Sequence, residues 1–265
     1  MADKMKVMSF NLRVEADIDG INHLDHRKGR ILEAIHKEKP DLIGFQECRD
    51  GTRAWLRDAL TDYVLVGCGR YEGYKGEGAP LAFRKDKFEM VAMETFWLSS
   101  TPNVPASIYA GSDQSTCPRI ATSVTLKPEG YDGTILFVNV HTDHKGSMSR
   151  ILASAQLLEY MSKKNLPSVL TGDFNALPNS TEIRMLTASK DFPMIDATVN
   201  VGETYHAFGT VHETKPEYDG VDVVKIDYIF TNLPTNVDES YALADIPVEG
   251  VYISDHCPVV ALLAL

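Results

Sequence analysis

The chain has 265 residues, with 37 acidic against 26 basic side chains and a formal net charge of −11 at neutral pH. A surface of that sign repels polyanions and argues against tight, nonspecific duplex binding, although it leaves room for a local basic patch or for acids gathered around a metal. No apolar run is long enough to span a bilayer, and Met1 to Lys6 enters a strand pattern without an apolar leader, so a soluble cytoplasmic protein is expected. Four cysteines, Cys48, Cys68, Cys117 and Cys257, lack Cys-x-x-Cys spacing, which predicts reduced thiols rather than a zinc site or disulfides. Without a linker, a repeat or a low-complexity tract, residues 1–265 read as a single α/β domain.

Lys6 to Leu12 alternates as a strand with Asn11 at its end. Asp25 to Ile35 has helical spacing, closed by Lys39-Pro40. Asp41 to Glu47 is an apolar strand ending in an acid, and such a carboxylate needs a cation, hydrogen bonds or solvent. Arg53 to Leu60 predicts a short helix, and Val64 to Gly67 a strand before the glycine-rich loop Cys68 to Gly78. No Gly-Lys-Ser/Thr follows those glycines, so they do not form a phosphate-binding P-loop. Ala79 to Arg84 and Phe88 to Glu94 predict two antiparallel strands joined by a turn at Lys85-Asp86-Lys87. A long loop with Pro102, Pro105 and Pro118 ends at Arg119, before the strand Ile120 to Leu126.

Thr134 to His141 is a clear strand, with Asp143 and His144 just beyond it. Arg150 to Lys164 has helical spacing and leads to Ser168-Val169-Leu170, which opens into Thr171-Gly172-Asp173-Phe174-Asn175. Strand, helix, strand is the pattern of a crossover in a layered domain. Asp173 and Asn175 either share one side of an extended chain or form a turn with side-chain-to-backbone bonds. Ser180 starts a further helix through Leu186. Val223 to Phe230 reads as a strand with Asp227 in its middle, an acid whose unpaired burial would cost several kcal/mol. Asp255-His256, before the last strand Val259 to Leu265, offers it a partner.

Strand ends thus supply Asn11, Glu47, His141, Asp173, Asn175, Asp255 and His256. Strand ends at one edge of a sheet face a common crevice, and acids with amides and histidine suit a hard cation, Mg²⁺ or Mn²⁺, and hydrolysis at phosphorus. In this order Asn11, Gln46-Glu47, Asn139-Val140-His141, Gly172-Asp173-Phe174-Asn175, Ile226-Asp227-Tyr228 and Ser254-Asp255-His256 resemble the endonuclease/exonuclease/phosphatase superfamily. Gly69-Arg70 with Gly76-Glu77, Phe96 to Ser99, Asp143-His144 and Thr204 to Phe208 resemble its bacterial and fungal members near the deadenylase-like group. Gly111-Ser112-Asp113 and Thr142 depart from that branch, which often has Trp and Leu there.

The resemblance implies a four-layer α/β sandwich: two mixed, mainly antiparallel sheets face to face, helices outside, and a site at one end. It implies that Glu47 binds the metal with Asn11 and Asp255 close by, and that Asp173 orients or deprotonates the attacking water. Asn175 and His141 would donate to phosphoryl oxygens, Arg119 would add a charged fork, and Asp227 would pair with His256. The expected function is a Mg²⁺-dependent phosphoester hydrolase acting on a small phosphorylated molecule, a nucleotide or a short single strand. A nuclease is the alternative, favoured if a basic patch with exposed Tyr71, Tyr74 or Tyr109 borders the crevice. A catalytically silent binding module would lack a core acid or His256, and none is lacking.

Overall fold

The computed structural model describes residues 4–210, 218, 221, 223–233 and 237–264. Its strands are β1 (Lys4–Asn11), β2 (Leu42–Gln46), β3 (Tyr63–Val66), β4 (Leu81–Arg84), β5 (Phe88–Trp97), β6 (Ile120–Pro128), β7 (Ile135–His141), β8 (Ser168–Asp173), β9 (Ile195–Asp196), β10 (Asp227–Thr231), β11 (Val237–Ala242) and β12 (Val259–Ala264). The helices are α1 (Leu24–Glu38), α2 (Asp50–Ala59), α3 (Ser147–Lys164) and α4 (Thr181–Ala188). One sheet has the order β11-β12-β1-β2-β4-β3 and the other β5-β6-β7-β8-β10-β9. Only β1/β2 and β7/β8 run parallel among the described pairs, so both sheets are mixed and mainly antiparallel. The β7–α3–β8 unit is the expected crossover.

Three apolar layers hold this sandwich together. Val7, Leu42, Phe83, Phe137, Val169, Ile229 and Ala261 meet between the sheets. Phe10, Ile43 and Phe45 meet Ile31 and Ile35 of α1 and Leu56 of α2 on the outside of the first sheet. Val138, Leu170 and Phe230 meet Leu157 and Met161 of α3 and Leu186 of α4 on the outside of the second. Strand alternation then dictates where the polar residues go. Met5 and Val7 face inward, so Ser9 and Asn11 do too; Ile135 and Phe137 face inward, so Asn139 and His141 follow. By the same parity Asp173 in β8 and Asp227 in β10 point between the sheets.

The turn at Lys85 to Lys87 does not close a hairpin. Here β4 pairs with β2 and β3, whereas β5 pairs with β6, so that turn carries the chain from one sheet to the other. Asp227 opens β10 instead of lying in mid-strand, because Val223 is half exposed and the ladder with β8 begins at the Asp227–Asp173 pair. Helix α2 starts three residues before Arg53. The predicted terminal strand is β12, with Leu265 outside the described residues. No described helix is long and apolar enough to cross a membrane.

Candidate active site

Register collects the polar strand ends at one end of the sandwich. Asn11 sits beside Gln46 across the parallel pair β1/β2, and His141 beside Asp173 across β7/β8. Asp227 begins the antiparallel strand β10 opposite Asp173, and Asp255-His256 precedes β12, which runs antiparallel to β1. The ends of parallel strands and the starts of antiparallel ones therefore coincide. Beneath them a buried amide network joins the sheets: Gln46 Nε2 donates to Asn139 Oδ1 (2.8 Å), and Asn139 Nδ2 donates to the Phe45 and Pro80 carbonyls (2.7 and 2.9 Å). Gly44 lets the sheets approach there, since a Cβ at that position would meet Thr171 Oγ1 at 2.1 Å.

Asn11 bridges the two sheets. Its Nδ2 lies 2.9 Å from Asp173 Oδ2, 3.2 Å from Glu47 Oε1 and 3.4 Å from His256 Nε2. Strand parity alone would send Glu47 to the helix side of the sheet; its left-handed backbone (φ 62°) turns it toward the site, where Oε2 accepts from the Val14 N–H (2.7 Å). Of the two sequence readings at Asp173 the turn holds and the extended one does not, because the strand ends at Asp173 and Asn175 is left-handed. Asp173 Oδ1 accepts from the Asn175 N–H (2.8 Å), and Asn175 (φ 47°) still reaches the cavity, with Nδ2 3.1 Å from His141 Nε2. Asp227 Oδ2 lies 2.8 Å from His256 Nδ1, the partner that its burial requires.

These groups border a cavity of about 320 Å³, whose walls include Glu47, His141, Asp173, Asn175, Asp255, His256 and Arg119. Asn11 and Asp227, both 1% exposed, contact those side chains from behind. Burial opposes a charge on His256, but Asp227, Asp255 and Asp173 outweigh it and push its pKa up to about 10. Burial and then Asp227 push Asp173 up to about 7 against the pull of His256. Burial, aided by Glu47 and opposed by His256, raises Asp255. For Glu47, burial works upward but Arg13, the Val14 N–H and His256 prevail and lower it. Burial and the Arg119 and Arg70 charges hold His141 well below the usual histidine range, as a neutral ring.

Two clusters have ligand atoms within 4.8 Å of one another: Glu47, His141 and Asp173, and Asp173, Asp227 and His256. The cavity wall also holds Arg13, which is paired with Asp19 at 2.9 and 3.0 Å and lies 3.9 Å from Asp255, and Tyr205, whose ring centre is 4.7 Å from that of His256. The sequence does not single out Arg13, which lies in a loop of ordinary composition; Tyr205 falls within the Thr204 to Phe208 stretch that carries the branch resemblance, but no role attaches to it there. Arg27 did carry a signal: it sits on the apolar face of α1 with Leu24, Ile31 and Ile35. Fully buried, it donates to the carbonyls of Leu12 (2.7 Å), Asn22 (2.6 Å) and Ile253 (2.9 Å), clamping the chain beside Asn11 to the chain before Asp255.

A model of the endonuclease/exonuclease/phosphatase family matches residues 8–256. The endonuclease/exonuclease/phosphatase from Bacteroides vulgatus is 31% identical, covers 99% of each chain and superposes with a TM-score of 0.89. A mannosyl-6-phosphatase from Bacteroides thetaiotaomicron is 28% identical over 98% of this chain and 100% of its own, with a TM-score of 0.82. The uncharacterized protein L388 of Acanthamoeba polyphaga mimivirus is 26% identical over 181 residues, 64% of this chain and 67% of that one. With the motif order, the sandwich and the inward strand ends all agreeing, this chain belongs to the endonuclease/exonuclease/phosphatase family.

Proposed function

We propose that this protein hydrolyses a phosphoester of a small phosphorylated molecule with the help of a divalent cation, Mg²⁺ or Mn²⁺. The observation that carries this reading is the convergence of Glu47, Asp173, Asp255 and the Asp227–His256 pair on one cavity that also holds arginines. The mannosyl-6-phosphatase similarity supports a small substrate. The donor set fits a hard cation: the carboxylates supply oxygens, and burial together with mutual repulsion raises Asp173 and Asp255, a strain that a positive ion relieves. Glu47 would hold it, with Asn11 and Asp255 close by. When bound, the cation supplies positive charge to a phosphoryl oxygen and makes water more acidic.

The chain's own groups then divide the work. Asp173, fixed by Asn11 and the Asn175 N–H, takes a proton from water. Water oxygen bonds to phosphorus in line as the ester P–O bond breaks, and the alcohol leaves with a proton from solvent. His256 is held as a cation by Asp227, with Nε2 3.8 Å from Asp173 Oδ2, so it faces the oxygens on which charge builds. His141, Asn175 and Arg119 complete the donors around those oxygens. In this structure Asn175 Nδ2 is engaged by His141 and by the Thr142 carbonyl, so donation to substrate requires exchange of one of those bonds.

A screen with Mg²⁺ or Mn²⁺ across phosphomonoesters, phosphodiesters, nucleotides, inositol phosphates and short oligonucleotides tests this. Turnover that chelation abolishes is expected. No turnover of any phosphoester at saturating metal would overturn the reading, and turnover of oligonucleotides alone would move it to a nuclease.

A further inference from the structure

One wall of the cavity is richer in hydrogen-bond donors than its protein partners can use. Arg119 is 5% exposed and Arg70 is 7% exposed. Arg119 Nη2 lies 2.9 Å from His144 Nδ1, but its Nε and Nη1 have no hydrogen-bond partner among the described residues. Arg70 directs Nη1 and Nη2 at Glu77 (2.5 and 3.1 Å) and leaves Nε without one, and His141 Nδ1 is equally unpartnered. These groups adjoin one another, because Glu77 Oε1 is 3.8 Å from both Arg119 Nη1 and His141 Nδ1.

The wall is built rather than incidental. The Cys68 to Gly78 loop that carries Arg70 and Glu77 folds back on itself through the Arg70 N–H to the Glu77 carbonyl (2.9 Å). It is tied down by Trp97 Nε1 to the Arg70 carbonyl (2.7 Å) and by Arg53 Nη1 to the Gly76 carbonyl (2.7 Å). Buried donors without acceptors cost stability, and a guanidinium fork matches the paired oxygens of a phosphate. A terminal phosphate brings three free oxygens and close to two charges, whereas a diester has two free oxygens and one charge. With one oxygen engaged on the Glu47 and Asp173 side, a monoester leaves two free oxygens for the guanidinium forks and a diester only one.

Resting on the proposed hydrolysis at this site, we infer that Arg70 and Arg119 read a terminal phosphate group, so that the substrate is a phosphomonoester dianion rather than an internal phosphodiester. The pair acts on the group that is transferred, and Glu77 holds Arg70 in place.

The test compares phenyl phosphate with methyl phenyl phosphate, which share a leaving group, and titrates inorganic phosphate into the metal-free protein. Wild type should prefer the monoester by about 100-fold in kcat/KM. Arg119→Met should lower monoester turnover by about 100-fold and diester turnover by less than about 10-fold, with weaker phosphate binding, while Arg119→Lys restores part of the preference. Arg70→Met gives the same direction should Arg119→Met fold poorly. Equal use of both esters, a preference for the diester, or equal loss on both in the variants overturns the inference and leaves the hydrolase reading intact. If neither ester turns over, that reading is in question, and the phosphate titration decides the wall: binding lost in the variants supports it, and no binding by wild type removes it.

Discussion

The first sheet brings Glu47, Asp255 and His256 to the cavity with Asn11 behind them, whereas the second brings His141, Asp173 and Asn175 with Asp227 behind. On the proposed reading the first set holds the cation and carries the positive histidine, and the second handles water and tunes that histidine. Neither sheet is sufficient, because the decisive contacts cross between them: Asn11 to Asp173 at 2.9 Å and Asp227 to His256 at 2.8 Å. A crossing contact between buried groups depends on the spacing of the two sheets. That spacing is fixed by apolar residues such as Val7 and Phe137, and by the Gln46–Asn139 bond beneath the site. Packing and chemistry are therefore the same problem at this end of the molecule.

The largest effect should come from the second sheet. Asp173→Asn keeps the size and one of the two accepted bonds, from Asn11 Nδ2 or the Asn175 N–H, but removes the proton acceptor, so kcat should fall by about 1,000-fold with a smaller change in melting temperature than for His256→Ala. Normal turnover in that variant would remove the assigned role. Next comes the crossing pair. His256→Ala should lower kcat by about 100-fold and also cost roughly 3 kcal/mol of stability, because Asp227 is left as a buried carboxylate without its cation. Its Mg²⁺ affinity should stay close to wild type; a loss of metal would make His256 a ligand and redraw the division between the sheets. Glu47→Gln tests the first sheet directly. Metal affinity should weaken by roughly 10- to 100-fold, with activity recovering at high Mg²⁺, and an unchanged Mg²⁺ titration would take the cation away from Glu47.

Much of this end of the molecule was legible because strands alternate. Once Val7, Phe137, Val169 and Ile229 are taken as inward, Asn11, His141, Asp173 and Asp227 must be inward as well. Order along the chain then pairs them by register. What the sequence concealed depends on backbone turns and on pairing between distant segments. Glu47 and Asn175 reach the cavity only through left-handed residues, which no periodicity reports. The Lys85 to Lys87 turn looks like a hairpin because a short polar break between two β-rich runs has the same local composition whether the next strand returns to its sheet or crosses to the other. Strand β11 escaped because its residues are exposed or half-buried and supply no apolar pattern. Arg27 shows the converse: a cation on the apolar face of a helix was visible, but its acceptors are carbonyls, and carbonyls carry no sequence signature.

The smallest expected effect separates the helices that cover the two sheets. Helix α1, over the first sheet, is capped locally, with His23 Nδ1 accepting from the Asp25 N–H at 3.3 Å. Helix α3, over the second, takes its cap from a distant loop: the Asp113 carboxylate accepts from the N–H groups of Met148 (3.0 Å) and Ser149 (2.9 Å). Gly146 makes room for it, since a Cβ there would meet Asp113 Oδ1 at 2.4 Å. Slight burial works against the charge on Asp113, but those two N–H groups prevail and hold its pKa below the ordinary value. A carboxyl whose folded pKa is depressed stabilises the fold above its unfolded pKa and loses that contribution as pH falls through the folded one. Asp113→Ala should therefore cost about 1 kcal/mol at neutral pH, a shift of about 2–4 °C in melting temperature, and the gap from wild type should close as the solution is acidified. A gap that persists in acid would mean that the loop holds α3 by packing and not by the charged cap, and turnover at neutral pH should be the same in both proteins, because α3 supports the second sheet from the side away from the cavity.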